Sequence, residues 1–217
     1  SKAGRIEMRR LERRLRFFLR KGWTLAYKKL LTDKRLIKLF HPYQLDAARA
    51  RLAAGYFAAG RDKWALNWAE RAIDGSGKYL PEAHWVAGLS AWRLGNYSKS
   101  LARFDDVSES EYVSSWLLSA GAFWAARSAM KIGKPELYTK YLRIAANFPR
   151  TFYGILASYL LGVMPEFDWS SPDYDEKSMQ VLANKPGGRR AISLIQVGQD
   201  RLAERVLRIL FSDSNPV

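Results

Sequence analysis

Trp92-Arg93-Leu94-Gly95-Asn96-Tyr97 is the stretch whose reading decides the fold. An apolar, Ala- and Trp-rich run ends at a glycine, and a new run of helical character begins two residues later. Glycine is the residue that closes a helix in the left-handed backbone conformation at no Cβ cost. The same phrase recurs on both sides, as Gly60 before Arg61-Asp62-Lys63-Trp64 and as Gly133 before Lys134-Pro135-Glu136. These glycines stand 35 and 38 residues apart, and Gly198, in Val197-Gly198-Gln199-Asp200, repeats the arrangement 65 residues further on. A period in the mid-thirties with a glycine turn between paired helices predicts helical-hairpin repeats.

The flanking segments agree. Met8, Leu11, Leu15 and Phe18 form one apolar stripe among arginines; Ala65, Trp68, Ala69, Ala72 and Ile73 form another, as do Phe152, Ile155, Leu156, Tyr159 and Leu160. Leu202, Val206, Ile209 and Leu210 make a last helix of the same kind. These are helical spacings, and no stretch alternates as a strand would. Trp92-x-x-Gly95-x-Tyr97 resembles part of the tetratricopeptide consensus. The expected fold is all α, a right-handed superhelix of tetratricopeptide-like hairpins (an α-solenoid). Three regions are expected: basic helices over residues 1–40, the repeat array over 41–163, and a connector with a final helical pair over 164–217. Within the last, Lys185-Pro186-Gly187-Gly188 reads as a turn between two short helices.

The formal charge of +15 is concentrated at one end. Residues 1–40 hold 14 Lys and Arg against Glu7, Glu12 and Asp33, and the remainder is close to balanced. Such a segment favours polyanions: nucleic acid, anionic lipid headgroups or carboxylate-bearing cell-wall peptides. The absence of cysteine excludes disulfides, thiolate catalysis and cysteine-bound zinc, and suits periplasm and cytosol alike. The start at Ser1, with no basic and apolar leader behind it, reads as a processed or trimmed chain. The uncharged stretches 112–126 and 151–165 are about 15 residues long, short of a bilayer span, so no transmembrane segment is expected.

Chemistry-bearing motifs are few. His41 and His84 lie far apart with no metal-ligand spacing, so neither a metal nor a cofactor is expected, and His84 reads as a helix-interface residue. Gly187 and Gly188 lack a phosphate-loop context, and no G-x-S-x-G elbow occurs. Trp64, Trp68, Trp85, Trp92, Trp116 and Trp124 carry two readings, a sugar-stacking channel or helix packing, and their places on apolar stripes favour packing. Trp169, in the connector, is the tryptophan expected to be exposed. Tyr153, at a helix start, suits a ring packed on the preceding hairpin with its hydroxyl tied to backbone. Arg9, Arg10, Arg13 and Arg14 form a cationic face with few acids to offset it. Arg9, Arg10, Arg13, Arg14, Tyr153 and Trp169 are the candidate substrate contacts.

Thr151-Phe152-Tyr153-Gly154, opening the helix Ile155 to Gly162, resembles a phrase in the helical superhelix of soluble lytic murein transglycosylases. Tyr79-Leu80-Pro81-Glu82-Ala83-His84-Trp85-Val86-Ala87-Gly88 and the segment Leu101-Ala102-Arg103-Phe104 are similar to a hairpin of that superhelix. Ala191 to Gly198 and Leu202 to Leu207 resemble the last helical pair before the catalytic domain. The resemblance covers residues 43–163 best, and the basic first 40 residues depart from it. It implies a periplasmic scaffold that binds peptidoglycan glycan strands and positions them for a catalytic domain of the same parent chain. The parent's reaction would cut between N-acetylmuramic acid and N-acetylglucosamine without water, leaving a 1,6-anhydro end. The family's catalytic Glu stands in a Glu-Ser context. Glu109-Ser110 is the one such dipeptide here, and Val113-Ser114-Ser115-Trp116 after it shares nothing with the family's motif. No catalytic residue is therefore assigned, and the chain alone is expected not to catalyse. Two other functions fit the residues: a stand-alone adaptor binding a protein in a concave face, or a basic binder of nucleic acid or an anionic surface. Nucleic acid is disfavoured because the tryptophans do not interleave with the basic run.

Overall fold

The computed structural model describes residues 2–164, 167 and 176–210. Among the described residues the protein is all helical, with no strand, as the periodicity requires. The chain divides into two compact units, Ser1–Glu166 and Phe167–Val217. The first holds α1 (Lys2–Arg20), α2 (Thr24–Thr32), α3 (Lys34–Ile37), α4 (Pro42–Ala58), α5 (Asp62–Ser76), a 3-10 turn (Gly77–Tyr79), α6 (Pro81–Arg93), α7 (Tyr97–Ser108), α8 (Ser115–Lys131), α9 (Pro135–Ala146) and α10 (Phe152–Leu161). The second holds α11 (Glu176–Ala183), α12 (Pro186–Gln196) and α13 (Asp200–Leu210).

The glycine phrase does what its sequence predicts. Gly60, Gly95, Gly133 and Gly198 adopt φ between 69° and 76°, and Gly22 and Gly162 share that conformation. At Gly95 the amide donates to Trp92 O at 3.0 Å and the next amide, of Asn96, reaches back to Ala91 O at 2.9 Å. That double closure satisfies carbonyls the helix end would leave bare, and it turns the chain sharply. The next helix is started by its own local device. Asn96 Oδ1 accepts from Lys99 N, and Pro135 occupies the first turn of α9, where a missing N–H costs nothing. Pairs α4–α5, α6–α7, α8–α9 and α12–α13 are the resulting hairpins, each packed along its length. In the first unit α5 also packs on α6 and α7 on α8, and α4 touches α6 as α8 touches α10.

Small residues permit this closeness. Ala53, Ala65, Ala69, Ala72, Ala83, Ala87, Ala122, Ala125 and Ala126 are fully buried, and Gly88 takes the ring of Phe104 where a Cβ would collide with it. The larger side chains sort into clusters. Leu11, Leu15, Tyr27, Leu31, Leu52 and Trp68 fill the core of α1, α2, α4 and α5. Phe104, Phe123, Tyr141 and Leu142 fill that of α7 to α9, and half-buried Trp85 packs against both.

Polar side chains 31 to 36 residues apart in sequence join successive hairpins. Arg103 on α7 grips Glu70 on α5 with Nε and Nη2, at 3.1 and 2.5 Å. Tyr141 on α9 donates to Asp105 on α7 at 2.7 Å. Arg93 donates to Asp62 Oδ1 through Nε at 2.7 Å and stacks 3.6 Å over Phe57. His84 lies at the α6–α7 interface as expected, with Nδ1 at 2.8 Å from Asp106.

Two local expectations are corrected. Gly187 and Gly188 do not form a turn between helices; they are in the first turn of α12, after Pro186. A Cβ at residue 188 would come within 2.7 Å of the Leu182 carbonyl carbon, so the glycine there serves the close crossing of α11 and α12. Trp64 and Trp116 are not packed away: they are 46% and 61% exposed, both in the first turn of a helix where the stripe has not yet met its neighbour.

Candidate functional site

Helix α5 carries two adjacent rows of side chains toward α2. Trp64 and Trp68 stand four residues apart on one row, and Lys63, Asn67 and Arg71 stand four apart on the next. With Lys28 from α2 these six side chains line a cleft of about 360 Å³, within the size range of small-ligand sites. Lys28 Nζ lies 4.3 Å from the Trp64 ring centroid, and the Arg71 guanidinium lies 5.0 Å from that of Trp68. A cation over an indole face is attracted by the ring quadrupole, which holds both charges at the lip of the cleft. Trp68 is buried, whereas Trp64 leans on Tyr56 at 5.4 Å between centroids and leaves about half its surface open.

The electrostatics are one-sided. Among the described residues none of Lys28, Lys63 and Arg71 is in an ion pair, and the lining contains no acid. Three cations around two indoles and one amide can hold an anion attached to a flat or ring-shaped body. The amide of Asn67 can both donate to and accept from hydroxyl groups.

The candidate contacts read from the sequence are not brought to this cleft. Arg9, Arg10, Arg13 and Arg14 are exposed on α1, Arg14 lying 5.9 Å from the Phe18 ring. Tyr153 is half-buried on α10; its hydroxyl accepts from Trp124 Nε1 at 3.2 Å, and its ring packs on Phe123 at 5.1 Å. Its partner is thus a side chain and not backbone. Trp169 lies outside the described residues. Trp85, Trp92 and Trp124 are half-buried and pack within the fold: Trp92 meets Trp124 edge-on at 5.3 Å, with Arg127 over both, and Trp85 rests on Phe104. Glu109 is the C-cap of α7, and Ser110 Oγ accepts from Tyr112 N, a polar loop between helices. Among the described residues no group of three His, Asp or Glu side chains is placed to hold a metal ion. Nor is any described helix long and apolar enough to cross a membrane.

Lys28, Lys63, Trp64, Asn67 and Arg71 were missed as a group because α2 and α5 are over thirty residues apart in sequence. Half of the signal was readable: the i, i+4, i+8 row Lys63–Asn67–Arg71 beside Trp64–Trp68. The tryptophans do not interleave with the basic run in sequence, but Lys28 of that run sits on Trp64 in space. The sequence matches no protein-family model and no curated protein.

Proposed function

We propose that this chain is a superhelical scaffold of tetratricopeptide-like hairpins that grips an acidic glycan, peptidoglycan, and positions it for a catalytic module of the same parent protein. The observation that supports it best is the Lys28–Lys63–Arg71 cleft around Trp64 and Trp68. An indole offers a flat apolar surface to the C–H face of a pyranose, and the cations offer partners to carboxylates on its substituents. Lys28 occupies the indole face a sugar ring would use, so binding moves its ammonium from the ring to the ligand's anion. The likeness of Thr151 to Gly154 and of the hairpins around residues 79–104 to the superhelix of lytic transglycosylases supports the same assignment, with a periplasmic setting.

The cleft also favours a second reading, a single-stranded nucleic acid with a base on Trp64 and phosphates on the lysines. Stacking of that kind contributes about 1–3 kcal/mol per base and comes with steep salt dependence. Co-sedimentation of the full chain with purified sacculi, beside gel shifts with single-stranded oligonucleotides, separates the two across a salt series. Retention on sacculi at high salt, weakened about tenfold in Trp64→Ala, is the expected result. Oligonucleotide binding with a steep salt slope, and no retention on sacculi, would replace the glycan reading with the nucleic-acid one.

A further inference from the structure

A second pocket lies in the same unit, between α1, α2 and α4, with about 490 Å³ of space. Leu15, Leu19 and Phe40 give it an apolar wall. Its floor is Tyr27, buried to 1% exposure, whose hydroxyl donates to Ala48 O at 3.1 Å. Burial pushes that phenol up to about 12, against the lowering influence of Arg51 beside it.

Three charged side chains share this space: Glu12 and Arg16 from α1 and Arg51 from α4. Glu12 precedes Arg16 by four residues, the order in which a helical acid and base ordinarily pair. Among the described residues, nevertheless, none of the three is in an ion pair. One carboxylate and two guanidiniums therefore border one cavity without neutralising one another. A simple anion would meet Glu12, and a simple cation would meet both arginines. A ligand carrying both signs satisfies all three.

We infer that this pocket binds a small zwitterion, an amino acid or short peptide with free ammonium and carboxylate ends and an apolar side chain. Arg16 and Arg51 take the carboxylate, Glu12 takes the ammonium, and the Leu15–Leu19–Phe40 wall takes the side chain. This site is separate from the Trp64 cleft and does not rest on the glycan reading.

The test is calorimetric titration of the full chain with leucine, alanyl-leucine, N-acetyl-alanyl-leucine and alanyl-leucinamide at physiological ionic strength. Saturable binding of leucine or of alanyl-leucine is expected, and the tighter of the two tells whether a single amino acid or a peptide spans the pocket. Blocking either end should weaken the dipeptide about tenfold or more, the loss of one charge-assisted contact. Glu12→Gln should erase the penalty for N-acetylation, and Arg16→Gln or Arg51→Gln should weaken the free dipeptide about tenfold with an unchanged helical circular dichroism signal. Trp64→Ala should leave every affinity in place. No saturation by leucine or alanyl-leucine, or equal binding of free and blocked dipeptides, overturns the inference. Should a charge variant unfold, the ligand series on the unaltered chain decides alone.

Discussion

The carbonyl of Phe148 stands where a side chain on residue 154 would have to be. A Cβ added to Gly154 would come within 2.7 Å of the Phe148 carbonyl carbon and closer still to its oxygen. Three residues before it, the Thr151 hydroxyl accepts the Gly154 amide at 3.0 Å and lies 2.8 Å from both Phe148 O and Ser119 Oγ. Cap and glycine together let α10 start directly against the end of α9. Gly188 repeats the close approach in the second unit, against the Leu182 carbonyl, but without the cap: the Lys185 side chain at the N-cap accepts no amide.

Gly154→Ala should therefore cost more than Gly60→Ala. At residue 154 the collision is with backbone that cannot swing away, and a loss of about 3 kcal/mol is expected, at the upper end of overpacking effects. At residue 60 no atom lies within 4 Å, and only the left-handed conformation is strained, for about 1–2 kcal/mol. Urea unfolding of both variants checks this; equal losses would mean that the α9–α10 connection yields easily.

The Glu70–Arg103 grip joins two hairpins and is only about one-fifth exposed on either side. Arg103→Met should cost about 1–3 kcal/mol, because it leaves the Glu70 carboxylate half-buried with only Lys99, 3.7 Å away, as a cation. Glu70→Gln combined with Arg103→Met should restore part of the loss. A double-mutant cycle in urea measures the coupling, and a value near zero would show the pair to be no more than a surface contact.

Asp106 predicts an acid response. Burial raises its carboxyl, but hydrogen bonds and charge from His84 and Arg103 outweigh burial and bring it below the ordinary 3.8. A lowered carboxylate stabilises the fold above its unfolded value, and that stability is lost as pH falls through the folded value. Between about pH 5 and pH 2 the thermal midpoint of Asp106→Asn should fall less steeply than that of the unaltered chain. Parallel curves would remove Asp106 from the acid-sensitive groups.

Tyr27 predicts an alkaline response of opposite sign. Its phenol, ordinarily at 10, is held up to about 12 by burial, so the stability it confers is complete below pH 10 and lost as pH rises toward 12. Tyr27→Phe should cost about 1 kcal/mol at neutral pH and flatten the fall in stability above pH 10. Ultraviolet titration should show one phenol fewer among the late-ionising group; an unchanged count would place Tyr27 in contact with water.

Trp64 and Trp68 separate binding from stability. Trp68→Ala should cost about 3–5 kcal/mol, as for a buried aromatic. Trp64→Ala should cost about 1 kcal/mol or less and still weaken retention on sacculi. Melting curves and co-sedimentation on the same preparations check both. A large loss of stability in Trp64→Ala would recast the exposed indole as a packing residue.

The helical hairpins were legible because their signals are local: a glycine in the left-handed region, a cap three residues from a bonded amide, an apolar stripe. Gly95 and Asn96 declare a turn within six residues of sequence. The cleft was not legible in the same way, because Lys28 meets Trp64 only through the packing of α2 on α4 and of α4 on α5, and stripe membership does not separate the first exposed turn of a helix from its buried middle. Trp64 and Trp68 share one row and have opposite surroundings. Gly188 misled for a related reason: glycine marks a turn or a close approach, and only the position of the Leu182 carbonyl tells which.

The glycine turns also bear on how the chain acquires its structure. In the first unit the main packing joins helices that are neighbours or near neighbours along the chain, as α4 with α5 and α6, or α8 with α9 and α10. Contacts so close in sequence require little loop closure, which favours rapid folding. On the ribosome, α4 and α5 can pair as soon as both have emerged, and within the first unit the hairpins α6–α7 and α8–α9 each find a formed neighbour to pack on. Synthesis itself can then set the order of assembly within that unit.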